Sequence, residues 1–224
     1  PKYWNGQWLI LSEDGADSKL SYLQTKVDNE TQQVAYELTE DIYQMINGEA
    51  LLGKPVRLFT HMAPNISTSV GATFVVTEKS MLELSNETFR QAAGIEDLFL
   101  DGAPAGFQAK DLICLDYYNY MIDQEGRVYK RTFTSNYLGG KYINEPYQID
   151  DKDMRVAFWG EGPVYPTADF LPAWDEKNGR IVMISNSRTQ NIYAVRDETE
   201  KDFMVSNMPE GTRVLYLLFK EAIW

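Results

Sequence analysis

The residue types best suited to chemistry in this chain are aromatics set among glycines and prolines. Trp159-Gly-Glu-Gly-Pro-Val-Tyr165, running on to Trp174, places two indoles and a phenol in one loop-rich stretch. Sugar rings stack on such faces through their C–H groups, while Asp, Asn or Arg side chains take the hydroxyls. Trp159, Tyr165 and Trp174 are therefore the candidate glycan-binding residues. The plainer alternative is that Trp159 ends a strand and packs inward.

Other chemistry finds little to work with. His61 is the only histidine and Cys114 the only cysteine. A multi-histidine metal site is excluded, and a Cys–His zinc site lacks further ligands. A Cys114–His61 nucleophile pair is conceivable in space, but two unrelated core or surface residues are the expected reading. There is no Gly-x-Ser-x-Gly elbow, no phosphate-binding loop and no dinucleotide fingerprint. With 33 acidic residues some carboxylate pair always exists, and no spacing singles one out for glycoside hydrolysis. The acidic clusters Asp150-Asp151-Lys152-Asp153 and Asp175-Glu-Lys-Asn-Gly179 offer oxygen ligands, yet Lys177 occupies a ligand position and no closing Glu follows. They read as solvated loops. The expectation is a non-enzymatic protein with no catalytic residue, no metal and no cofactor.

Positioning such a binding loop requires a core, and the chain can supply one. It has 224 residues, 44% of them hydrophobic, enough for one large domain or two small ones. Net charge is −12, which repels phosphate backbones and anionic membranes, so nucleic-acid and membrane partners are not expected. A single cysteine rules out an intrachain disulfide framework. No signal peptide or membrane-length apolar run is visible. An initiator Met before Pro1 is normally excised, so a whole gene product is expected, although an internal cut would give the same start.

The pattern along the chain points to mainly β structure, sandwich-like, with one long N-terminal helix. Asn5-Gly6 between aromatics signals a hairpin over 1–17. Asp17 or Ser18 can cap a helix over 18–48, uninterrupted by Gly or Pro until Gly48. Its apolar positions are Leu20, Leu23, Val27, Val34, Leu38, Ile42 and Met45; counting Thr31, they follow an 11-residue repeat. A narrow stripe on a polar helix either lies on its own β domain or meets copies of itself. The second reading makes these seven residues an oligomerisation seam, as a parallel trimer. Strands are expected over 55–62, 70–77, 111–122, 127–135, 154–159, 180–185, 192–196, 203–205 and 212–220. A short helix is expected over 85–93. The β region is divided into 49–140 and 141–224, or forms one larger domain.

The opening Tyr3-Trp-Asn-Gly-Gln-Trp8 resembles a phrase at the start of many virion proteins of tailed bacteriophages. The order of attachment segment, helical bundle and β domains also resembles their fibre, baseplate and head-fibre proteins. The resemblance spans about eight residues and carries over no functional residue. It implies a virion structural or attachment protein, assembled in host cytoplasm. Its partners would be copies of itself, other virion proteins and host cell-wall glycan. The alternatives are a stand-alone carbohydrate- or protein-binding β module, whose helix packs on its own sandwich, and a glycan hydrolase. Deleting residues 1–48 leaves a folded monomer in the first case and unfolds the protein in the second.

Overall fold

The computed structural model describes residues 8–62, 71–115, 119–131, 140–161, 170–185, 192–197 and 204–218. The chain is mainly β, with 52% in strands, and neither of its two helices among the described residues reaches seven residues. The long helix expected over 18–48 is not formed, and the helical bundle goes with it. Instead β1 (Trp8–Asp14) and β2 (Asp17–Val27) make a hairpin, β3 (Val34–Thr39) adds to β2, and only α1 (Ile42–Asn47) is helical.

A turn decides between the two structures. One Asp28 carboxylate oxygen accepts the N–H groups of Glu30 at 2.9 Å and Thr31 at 2.8 Å, an Asx-type turn. Gln32 takes a left-handed φ of 56° and donates its N–H to the Asp28 carbonyl. The chain reverses there, so Leu23 faces Leu38 and Val27 faces Val34 across the β2–β3 pair. The spacing that imitates a helical stripe is that of a hairpin read through its turn. Asp17 and Ser18, expected as helix caps, tie β2 to the next segment. The Gly53 N–H donates to the Asp17 carboxylate at 2.8 Å, and the Ser18 hydroxyl donates to the Gly53 carbonyl at 2.6 Å. Gly48 does close a helix in the left-handed conformation, φ 79°, but the helix is α1 alone.

The seven residues expected as one seam are distributed. Leu20 and Ile42 are fully buried in their own chain's core, with Tyr22, Tyr43, Val75 and Leu84. Leu23 is half-buried, and Val27, Val34, Leu38 and Met45 are exposed.

The chain divides into two compact units, residues 1–110 with 134–141, and residues 111–133 with 142–224. In the first, β4 (Pro55–Met62), β5 (Gly71–Thr77), β6 (Met81–Ser85) and β7 (Gln91–Gly94) form an antiparallel meander, followed by α2 (Ile95–Leu98). The helix expected over 85–93 is a tight loop, in which Phe89 at φ 53° sends its N–H to the Ser85 carbonyl. The buried Phe89 ring lies 5.9 Å from that of Tyr22, so β2 and the meander share one core. Residues expected in an attachment segment, a helix and a β domain thus pack together.

β8 (Ala109–Cys114) crosses the junction between the units; β9 (Asn119–Asp123) and β10 (Val128–Arg131) follow it in a meander. The single strand expected over 111–122 is therefore two. The second unit adds the small hairpin of β11 (Gln148–Ile149) and β12 (Lys152–Asp153). It also holds the meander of β13 (Val156–Trp159), β14 (Phe170–Asp175), β15 (Arg180–Ser185) and β16 (Ile192–Ala194). Its core joins Tyr120, Ile122, Val156, Trp159, Val182 and Ile184. The terminal strand expected over 212–220 is not formed in its described part, 212–218, where Leu218 alone bridges to Glu161.

Two hairpins of this unit turn on buried carboxylates. Asp123 accepts the backbone N–H groups of Glu125 and Arg127, and the Arg127 Nε–H at 2.6 Å. Asp175 accepts from Arg155 N–H, Asn178 Nδ2 and Arg180 Nε. A buried carboxylate so fully hydrogen-bonded holds its turn rigidly, and removing a partner exposes its full desolvation cost.

Two outcomes follow for the first sheet. Leu20→Ala, at a fully buried site, costs about 2–5 kcal/mol in denaturant unfolding of the first unit, whereas Leu38→Ala stays within about 0.5 kcal/mol. The Thr31 and then the Glu30 N–H hold the Asp28 carboxyl below its ordinary value of 3.8. A depressed carboxyl stabilises the turn fully above 3.8 and loses that effect as pH falls through the folded value. Carboxyl-carbon NMR should place its midpoint below 3.8, and Asp28→Ala should speed amide exchange at Ala35 and Glu37.

Candidate functional site: an uncharged face on the first sheet

Side chains alternate across a strand, so β1–β2–β3 has two faces of different fate. Leu9, Leu11, Leu20 and Tyr22 point into the core of their unit. The opposite face carries Trp8, Ile10, Leu23, Thr25, Val27, Val34, Tyr36 and Leu38, which the register brings together. Trp8 is 66% exposed, Tyr36 68%, and Val27, Val34 and Leu38 about half. No charged side chain stands among them; the Lys19–Asp14 pair, at 3.1 Å, lies at the far end of the hairpin. Asp14 and then Glu40 and Asp41 hold the Lys19 ammonium above its ordinary pKa.

The outer part of the β2–β3 hairpin is exposed on both sides. Every residue of Val34–Leu38 is exposed, including Ala35 and Glu37 on the second face. That second face is polar, with Lys26 ion-paired to Glu37. The hairpin is thus apolar on one side and charged on the other, a pattern that a solvated loop does not need and a docking arm does.

The hydrogen-bond parity of β3 follows from its turn. The Asp28 N–H donates to the Gln33 carbonyl at 2.9 Å, which makes that facing pair a hydrogen-bonded one. Facing pairs alternate in an antiparallel ladder, so Ala35, Glu37 and Thr39 bond to β2. Val34, Tyr36 and Leu38 direct their backbone N–H and C=O groups away from it. Among the described residues β3 is hydrogen-bonded to β2 alone. It contains no proline and one charge, so it lacks the usual protections of an edge strand.

The residues expected to bind glycan are placed otherwise. Trp159 is 9% exposed in the core of the second unit and Trp174 is 4% exposed, so neither offers an open ring face. Tyr165 lies outside the described residues. Cys114 is half-buried and outside any disulfide, and the side chain of His61 lies outside the described residues, so that pair stays unplaced. Asp150 and Asp151, at φ 55° and 57°, form the two-residue turn between β11 and β12. The Asp175 oxygens are engaged by Arg155, Asn178 and Arg180. Among the described residues no group of three His, Cys, Asp or Glu converges as a metal set, and no helix is long and apolar enough to cross a membrane. A cleft of ≈ 240 Å³ lies beside Thr77, Ser80, Met81 and Phe107. The Thr77 hydroxyl there is committed to the Leu52 carbonyl at 2.6 Å and to the N–H of Ser80.

Sequence comparison adds no assignment: neither the known family models nor the curated proteins include a match to this chain. The sequence pattern marks Leu23, Val27, Val34 and Leu38 of this face but sets them on a helix, and it does not mark Trp8, Ile10 or Tyr36. The signal that separates the structures is Asp28-Asn29, a turn-forming pair in the middle of the supposed helix.

In dilute solution, amide exchange along β3 should alternate. Ala35 and Glu37 should be protected, and Val34, Tyr36 and Leu38 should exchange at least tenfold faster, as read by NMR. Uniform protection in a monomer would contradict the assigned parity.

Proposed function

We propose that this chain is a non-enzymatic assembly protein that associates through the outer face of its first sheet. One observation carries the reading: Trp8, Ile10, Leu23, Val27, Val34, Tyr36 and Leu38 form one uncharged surface on a protein of net charge −12. Burying a fully exposed side chain of this size is worth about 1.5–3 kcal/mol, and half of that remains to be gained where the side chain is half-exposed. The partner is a second structural chain, copies of this one included, because a face without carboxylates lets two strongly acidic proteins approach without like-charge repulsion.

The setting we infer is the virion of a tailed phage. Its support is the opening Tyr3–Trp8 phrase, of which Trp8 begins β1. A compact β unit with one adhesive face suits repeated, multivalent assembly, where several weak contacts multiply avidity. The parallel trimer expected from a helical stripe has lost its basis with the helix, and host-glycan binding at Trp159 and Trp174 has lost its exposed rings. A protein-binding module remains the common element of both sequence-based readings.

Light scattering at tens of micromolar should give a mass above that of one chain. Val27→Asp with Leu38→Asp should return it to one chain with an unchanged far-ultraviolet circular dichroism spectrum. A wild-type protein that stays strictly monomeric at several hundred micromolar, alone and with candidate virion proteins, would remove the proposal.

A further inference from the structure

We infer that two copies of this chain join edge to edge through β3, antiparallel, about a two-fold axis passing through Tyr36. The inference rests on the assembly reading above and specifies its partner and geometry.

The parity of β3 limits the ways in which it can meet itself. Only Val34, Tyr36 and Leu38 offer backbone groups to a neighbour, so these residues must face one another across the new edge. A two-fold axis at Ala35 would set Leu38 against Gln32 of the other copy, but Gln32 sits in the turn at φ 56° and cannot extend the ladder. An axis at Glu37 would set the two Glu37 carboxylates directly opposite, a destabilising like-charge pair. The axis at Tyr36 avoids both. Val34 then faces Leu38 of the second copy, Tyr36 faces Tyr36, and Ala35 faces Glu37. Each facing pair of the first kind exchanges both N–H···O=C bonds, and every residue from Val34 to Leu38 is used.

Charge and apolarity agree with the same register. Glu37 is already paired with Lys26 of its own chain, so the polar side of the joined sheet sets alanine beside a neutralised carboxylate. On the other side the apolar surfaces of the two copies become continuous. That surface starts at Trp8 and Leu23 of one copy and runs through both β3 strands to the same residues of the other. Two copies that are each strongly acidic meet here without opposing carboxylates. An isologous interface requires this kind of self-matching strip. Edge pairing of a strand with a second chain is an established mode of association, with main-chain hydrogen bonds supplying affinity and alternate side chains supplying register.

Single cysteines read the register directly. Facing residues of a hydrogen-bonded antiparallel pair have Cα atoms about 5.5 Å apart, within the reach of a disulfide. In a Cys114→Ser background, Tyr36→Cys should form a disulfide-linked dimer under oxidised glutathione. Ala35→Cys and Glu37→Cys should each remain largely unlinked alone and link when mixed. The mixed pair keeps Tyr36 in place and so covers loss of association through its removal. In wild type, amide exchange at Val34, Tyr36 and Leu38 should slow at least tenfold on concentration into the dimer range. If the wild type oligomerises but neither Tyr36→Cys nor the mixed pair links, the edge register is overturned and the assembly reading stands. Linking by Glu37→Cys alone, as efficient as that by Tyr36→Cys, also overturns it. A wild type that stays monomeric alone overturns the β3 pairing, and one that stays monomeric with candidate virion proteins as well overturns both.

Discussion

The arrangement of the first unit depends on one carboxylate, that of Asp28. By accepting the N–H groups of Glu30 and Thr31 it reverses the chain, where an uninterrupted helix would have carried it onward. A helix needs each of those N–H groups for a carbonyl four residues earlier; once Asp28 has taken two of them, that ladder is broken locally. Everything distinctive about the N-terminal region follows. Leu23 meets Leu38, Val27 meets Val34, β3 pairs among the described residues with β2 alone, and Trp8, Ile10, Leu23, Val27, Val34, Tyr36 and Leu38 come to one side.

The core sets which side that is. Leu20 and Tyr22 are drawn inward by Val75, Leu84 and Phe89, and α1 adds Ile42 and Tyr43. With the even-numbered residues of β2 committed to the interior, the odd-numbered ones must face outward, since the side-chain period of a strand is two. The exposed face is thus an obligatory counterpart of the buried one. A sequence free to choose would place charges there, as the chain does on the opposite side of the hairpin with Lys26 and Glu37. That it places Trp, Ile, Leu, Val and Tyr instead makes the face meaningful for association.

The same economy governs the second unit. Its hairpins turn on Asp123 and Asp175, each buried and each held by an arginine at the start of the next strand, Arg127 and Arg180. These acidic residues look exposed and available in a linear sequence. Folding withdraws them from ion binding or catalysis by giving their oxygens internal donors. The indoles of Trp159 and Trp174 are withdrawn in the same way, into a core shared by β9, β13, β14 and β15 or its margin.

The sequence alone determined the β-rich character, through frequent turn residues and short alternating runs. Strands such as β4 and β15 and the helix end at Gly48 were legible because each rests on contacts between near neighbours. Tertiary structure decided which residues of 18–48 are buried. Their apolar spacing fits a helix and a hairpin equally, and the Asp28-Asn29 turn favours the hairpin without setting which of its faces turns inward. The choice was made by partners distant in sequence: Leu51 and Gly53, which hold the start of β2, and Phe89, which receives Tyr22. The same holds for Trp159 and Trp174, because burial of an aromatic is set by what the fold brings against it and not by its own neighbours in the chain.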